Sequence, residues 1–174
     1  SDLVVPSSCL VNEAKGQKFY QYTAIDEYSR WRYVEAFQEQ STYSSAVFLG
    51  HLLQRFPMPI ECVQTDNGTE FTKRFTSPKD TTPTRFQRVL ESHGIRHKLI
   101  RPFTPRHNGK VERSHRKDNE RFYASHTFYS FEDFSKQLKV YNRRDYNQFP
   151  MRPLGWKSPQ TVLDEFIQYG VTYV

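Results

Sequence analysis

Residues 18–25 (KFYQYTAI) and 31–37 (WRYVEAF) are rich in aromatic and β-branched side chains, and only five residues, 26–30, separate them. That gap closes a hairpin but is too short for a crossover helix, so the two runs are antiparallel neighbours. Later strand-like runs behave differently. Residues 60–65 (IECVQT) and 96–100 (RHKLI) are each preceded by a helical pattern, which implies crossover connections. A chain containing both kinds of connection builds a mixed sheet with helices against it, not a purely parallel or purely antiparallel one. Residues 3–5, ended by Pro6, add a short first strand, so the order reads β-β-β-α-β-α-β followed by helices.

The helices carry their own start and stop signals. Ser41 or Thr42 can cap a helix with Ala46, Phe48, Leu49, Leu52, Leu53 and Phe56 as its apolar set, ended by Pro57 and Pro59. Residues 85–92 form a second helix, terminated by Gly94. After a loop at 101–108 with two prolines, residues 109–125 read as a long polar helix in which Val111, His115 and Phe122 make a thin packing stripe. Ser130 opens a helix through Tyr146, and Ser158-Pro159 starts a last short one. The stretch 72–84 is a polar loop. Cys62, inside a strand pattern, reads as a small core residue, and Trp31 and Trp156 as packing anchors.

Charge is concentrated in one place. Between His93 and His126 stand nine Lys and Arg against three acids, an excess of six that equals the net charge of all 174 residues. Five of the six histidines fall there too. Such a field suits a polyanion, with salt-dependent phosphate contacts, although a solvated helix face would look the same. Arg106, Lys110, Arg113, Arg116, Lys117 and Arg121 are the candidate phosphate contacts. Twenty-seven aromatic residues exclude a disordered tail, and no apolar run is long enough for a membrane span. With two cysteines, no CxxC pair and no secretory signal, a reducing cytoplasm is the expected compartment. His93 and His97 have a spacing seen in zinc sites, but nothing else of a zinc finger accompanies them.

Three carboxylates sit where metal chemistry could use them. Asp66 follows a strand and precedes Asn67-Gly68, Glu112 begins the basic helix, and Asp2 opens the first strand. Hard oxygen ligands of this kind suit divalent cations, and two such ions can drive an in-line phosphoryl transfer. Each acid also has a plainer reading. Asp66-Asn67-Gly68 is a good turn, Asn67 can simply serve it, and Glu112 can pair with Arg116 at i+4.

Residues 63–71 (VQTDNGTEF) resemble the second-aspartate motif of the retroviral-integrase type catalytic core, and residues 104–113 (TPRHNGKVER) resemble its glutamate motif. Residues 26–30 (DEYSR) resemble the D-x-x-S-R signature of insertion-sequence transposases in that superfamily. Tyr141-Asn142, residues 152–155 (RPLG) and Ser158-Pro159 resemble the tail of those cores. The resemblance implies an α/β ribonuclease-H-like fold, with a mixed five-stranded sheet flanked by helices. It also implies a DDE transposase that cleaves DNA and joins its 3′-hydroxyl to target DNA with two Mg²⁺ or Mn²⁺ ions. It assigns Asp2, Asp66 and Glu112 as catalytic and metal-holding residues; Asn67, apart from its place in the turn, is a candidate to orient Asp66 or the substrate. Asp26 is a rival for the first aspartate, although its counterpart in the family is structural. The 45 residues between Asp66 and Glu112 exceed the family's usual spacing, and the polar loop at 72–84 accounts for the excess. The expected layout is a core over 1–147 and a tail with a short helix over 148–174. The expected partners are mobile-element ends, target DNA and further copies of the chain, working at the bacterial nucleoid without a membrane. End recognition would reside in a separate domain. A catalytically inactive DNA-binding or oligomerisation module, or a nuclease without strand joining, would share the fold.

Overall fold

The computed structural model describes all residues except 7–8, 15–16, 75, 101–104 and 171–174, and the backbone alone for 9–14, 105–108 and 110–111. At its centre is β3 (Gln17–Asp26), which turns through Asp26 into the antiparallel β4 (Arg32–Phe37). On its other side β3 pairs with both β1 (Asp2–Val5) and β2 (Cys9–Ala14), so these act as one interrupted strand. Beyond β1 lie β5 (Cys62–Thr65) and β6 (Arg96–Leu99), each parallel to its neighbour. Counting β1 with β2, this is the expected mixed five-stranded sheet. The segment at 9–14 was not legible as a strand because its CLVNEA run lacks alternation.

One face of the sheet is covered by α1 (Thr42–Arg55), α2 (Arg85–Ser92) and α5 (Pro159–Tyr169). There Leu3, Val5, Tyr22, Ala24, Tyr33 and Val63 pack against Phe48, Leu49 and Leu52 of α1, Phe86 and Leu90 of α2, and Leu163 of α5. The opposite face carries Phe19, Val34 and Ala36 against Phe122, Phe128, Phe134, Leu138 and Tyr141. Those residues come from α3 (Pro105–Asp118) with its following π-helical turn (Asn119–Tyr123), α4 (Phe131–Tyr141) and the segment joining them. Alternation along the strands explains the division, because successive side chains point to opposite faces. Cys62 is buried, as expected.

Local signals set the helix ends. The Ser41 hydroxyl accepts the Ser44 N–H at 3.0 Å, and the Thr84 hydroxyl accepts from Gln87 N, whose side chain in turn accepts from Thr84 N, a reciprocal cap. Ser130 and Ser158 cap α4 and α5 in the same way. The helix expected to begin at Gly109 instead begins at Pro105, where a proline fits because the first helical N–H is unpaired anyway. Its packing stripe is also more polar than expected. Ser114, Asp118 and Phe122 are its buried residues, and the Val111 side chain lies outside those described. The tail returns to the core: Gln160 N donates to Asn147 O, the Trp31 indole N–H donates to Gln160 Oε1 at 3.0 Å, and Leu163 joins the core. Among the described residues, no helix is long and apolar enough to cross a membrane.

Candidate active site

Asp66 stands directly after β5, at the carboxyl end of a parallel strand, where open α/β sheets expose ligand sites. Its Oδ1 accepts the Gly68 N–H at 3.0 Å, which fixes the carboxylate in a tight turn while leaving it only half-buried. Asn67 secures the same turn, since its Nδ2 donates to Ile100 O at 2.9 Å. Its Oδ1 is buried with no hydrogen-bond partner. Glu70 is buried below: Gln40 Nε2 donates to its Oε1, and its backbone oxygen accepts from Ser45 Oγ. The turn is therefore anchored to α1 and to the end of β6.

Continuing the alternation of β5 places Asp66 on the α3 face of the sheet. Val63 belongs to the core under α1, and the Thr65 hydroxyl meets His97 Nε2 at 2.8 Å on that same side, where His97 lies edge-on to Phe86. Glu112 is exposed on α3, so both acids belong to one side of the sheet. Glu112 does not pair with Arg116; the latter donates to Glu120 at 3.2 Å on the exposed surface.

Asp2 stands elsewhere. It pairs with Cys62 in the parallel register, four residues before Asp66, or roughly 13 Å along the strand. Continuing that register, the β1 position level with Asp66 is Pro6, and the nearest β1 residue on the α3 face is Val4. Both are buried and neither is an acid. The structure thus brings Asp66 and Glu112 to one side of the sheet but does not bring Asp2 to the carboxyl end of β5. Among the described residues no cluster of three metal-ligating side chains occurs. Asp26 is structural: its Oδ2 accepts from the backbone and hydroxyl of Ser29 at 2.8 and 2.7 Å, locking the hairpin. His93 and His97 are not brought together, since the His93 ring turns back on Val89 O of its own helix.

α3 is held in place by a buried ion pair that the motifs did not announce. Arg32, fully buried, donates from Nη1 to both Asp118 oxygens at 2.8 Å and to Ser114 Oγ at 2.6 Å, and from Nε to Asn142 Oδ1 at 2.7 Å. Its guanidinium lies 3.7 Å from the Tyr146 ring centroid. Burial opposes this charge, but Asp118, Tyr146 and Tyr141 together outweigh it and raise the Arg32 pKa. Asn142 and Asn147 both donate to Arg32 O at 2.8 Å. On the next turn His115 Nε2 lies 3.4 Å from Thr23 Oγ1, and burial pushes the His115 pKa down. One available signal was the alternation of Arg32 with Val34 and Ala36, which aims a charge inward.

The basic residues of α3 divide by side. Arg113, Lys117 and Arg121 recur every four residues, and the Arg121 and Lys117 charges lie 4.4 and 5.8 Å from the Phe149 ring centroid. Arg116 lies apart with Glu120, and the side chains of Arg106 and Lys110 fall outside those described.

The model of the integrase core domain family matches residues 9–105, and a second model of the same description matches 93–159. A retrovirus-related Pol polyprotein from transposon TNT 1-94 of Nicotiana tabacum is 32% identical over an alignment of 119 residues that covers 66% of this chain and 8% of the polyprotein's length. The crystal structure of the catalytic core domain of BIV integrase shares the fold with a TM-score of 0.70 at 19% identity, covering 96% of this chain and 95% of that one. A chain of the simian T-cell lymphotropic virus intasome, in complex with PP2A regulatory subunit B56 gamma, matches with a TM-score of 0.56 at 16% identity, over 99% of this chain and 50% of that one. With a sheet that follows the ribonuclease-H-like order and family matches running from Cys9 to Pro159, the chain belongs to the integrase core domain family.

Proposed function

We propose that this domain cuts DNA strands and joins a 3′-hydroxyl to target DNA by divalent-cation-dependent phosphoryl transfer. The observation that carries the reading is the Asp66 carboxylate, half-buried in its Gly68 turn at the carboxyl end of β5 and on the same side of the sheet as Glu112 of α3. Both are hard oxygen donors suited to Mg²⁺ or Mn²⁺, and the unpartnered Oδ1 of Asn67, the residue after Asp66, marks a polar place in the turn. Asp66 and Glu112 would hold the cations, two in the active complex, which supply Lewis acidity and a nucleophile at neutral pH. The chain's own residues do the positioning. The Gly68 N–H holds the Asp66 carboxylate in one orientation, Arg32 and Asp118 hold α3, and Arg113, Lys117 and Arg121 offer phosphate contacts along it.

Mobile-element ends and target DNA are the proposed substrates, and a homodimer or larger assembly is the proposed working form, because two ends must be joined. A second reading, a catalytically inactive DNA-binding or oligomerisation module, is favoured by one observation: Asp2 is not level with Asp66. The test is cleavage and joining of labelled mobile-element DNA in Mn²⁺ by the parent chain, Asp66→Asn and Glu112→Gln. Loss of product by at least about a hundredfold in both variants, with folding retained, is expected. Undiminished activity in either overturns the site, and an inactive parent that still binds DNA supports the second reading.

A further inference from the structure

The D-x-x-S-R hairpin and the R-P-L-G tail, far apart in sequence, meet at a cleft of about 470 Å³ beside α3. Arg30 comes from the hairpin, Arg113 and Lys117 from α3, and Arg152 from the tail, with Phe149 and Trp156 among the aromatic lining. The lining contains no acid, and among the described residues none of these four cations forms an ion pair. Their mutual repulsion is therefore not neutralised from within. The Lys117 pKa is lowered by burial and by its neighbours Arg121, Arg113 and Arg32.

The aromatic wall is held open. Trp156 was expected to be a packing anchor, yet it is 70% exposed, larger in exposed fraction than Phe149 at 42%. It is displayed on a tight loop in which Met151 N donates to Lys157 O and Trp156 N donates to Met151 O, both at 3.0 Å. Gly155 and Trp156 both adopt positive φ, at 63° and 64°, and for tryptophan this is an uncommon, costly backbone state. Burial of the indole does not repay that cost. Four unpaired cations around exposed aromatic faces form the combination that binds a single nucleic-acid strand, with phosphates on the cations and a base on the ring. A duplex, whose base faces are already stacked, could use only the cations.

We propose that this cleft seats an unpaired stretch of DNA, one base stacking on Trp156 while Arg30, Arg113 and Arg152 take the adjoining phosphates. Arg113 follows Glu112 on α3, so the cleft lies within one helical turn of that acid, which is not itself part of the lining. The assignment rests on the reading of Asp66 and Glu112 as the cutting site, but its test needs no cleavage.

Binding of a fluorescent oligothymidylate, and of the same length of duplex, is measured by anisotropy without divalent metal for the parent chain, Trp156→Ala, Trp156→Phe and Arg113→Ala/Arg152→Ala. Intrinsic tryptophan emission is followed in parallel. Trp156→Ala should weaken single-strand binding by about fivefold to a hundredfold and leave duplex binding little changed. Trp156→Phe should restore most of the affinity while abolishing the emission quench. The double arginine variant should flatten the slope of log affinity against log salt by roughly one to one and a half. Arg88→Ala, on the far face, serves as the folding and charge control. Equal single-strand affinity in the parent and Trp156→Ala, or a preference for duplex that ignores Trp156, overturns the inference. If Asp66→Asn abolishes cleavage while Trp156→Ala binds normally, the seat fails and the enzyme reading stands; the reverse pattern retains the seat and removes the enzyme.

Discussion

Arg32 shows how a single side chain can organise this domain. Its guanidinium is fully buried, so its charge is tolerable only because Asp118, Ser114 and Asn142 meet it within 2.8 Å. Removing one partner leaves the other charge stranded, which is far costlier than replacing both. Asp118→Asn should therefore lose about 3–5 kcal/mol in urea denaturation, and the double change Arg32→Met/Asp118→Leu should recover part of it; a loss under about 1 kcal/mol would show that the pair is not what ties α3 to β4. His97 supplies a second test. Burial pushes its pKa down to about 4, below the ordinary histidine value near 6.5, so the folded state holds it neutral. The unfolded chain binds that proton more readily, so the contribution is complete above about pH 6.5 and declines as the pH falls toward 4. The loss over that window is at most ~3 kcal/mol, and His97→Gln should flatten the pH profile there. Both residues expose the limit of motif reading. Asp66 and Glu112 are legible because turn and helix signals surround them, whereas Asp118 looks like any surface acid until the fold turns it onto Arg32.

Elements were legible wherever local chemistry specifies them. The hairpin of β3 and β4 follows from the short link between aromatic runs, and α1, α4 and α5 start at the expected capping residues because Ser side chains replace missing backbone partners. Helix α2 starts at Arg85 as expected, behind a Thr84 cap that the sequence pattern places in the polar loop. The α3 region was less legible, for a physical reason. Among its described residues the buried ones are Ser114 and Asp118, a hydroxyl and an ion, so hydrophobic periodicity underreports it. At Asp118 the helix widens into the π-helical turn, a local change that carries Phe122 into the second core. There Phe122 stacks on Tyr141 with ring centroids 4.6 Å apart and also meets Phe128 and His126. Phe122→Ala should cost about 3–5 kcal/mol by loss of burial and creation of a cavity. Because this stacking joins the turn to α4, beside the looser Tyr123–Phe134 ring contact, the variant should also expose the amides of 119–123 to faster hydrogen exchange. Exchange limited to unfolding of the whole domain would mean that the turn does not depend on Phe122.

At the scale of the molecule, the register of the sheet decides what the first strand can contribute. Any residue of β1 that is to share a cation with Asp66 must lie level with the carboxyl end of β5, because side chains of neighbouring parallel strands meet only across matching rows. The offset from β1 to β5 is 60 throughout, from Asp2 opposite Cys62 to Val5 opposite Thr65, which leaves Asp2 at the amino end. Its nearby charge is Arg96 of β6, whose pKa is raised chiefly by a hydrogen bond to Cys62, with Asp2 a smaller contributor. No sequence pattern could reveal this, since a four-residue strand gives a first aspartate but not its row. Titration of Mn²⁺ by calorimetry separates the two possibilities. Asp66→Asn should remove saturable binding, and Asp2→Asn should leave the affinity within about twofold, because a carboxylate some 13 Å along the strand adds little screened attraction. If Asp2→Asn instead abolishes binding while the fold persists, β1 must slide toward β5 by four residues when metal binds. That shift would also change the pairing of Leu3 with Asp26, and hydrogen exchange at the Asp26 hairpin would report it.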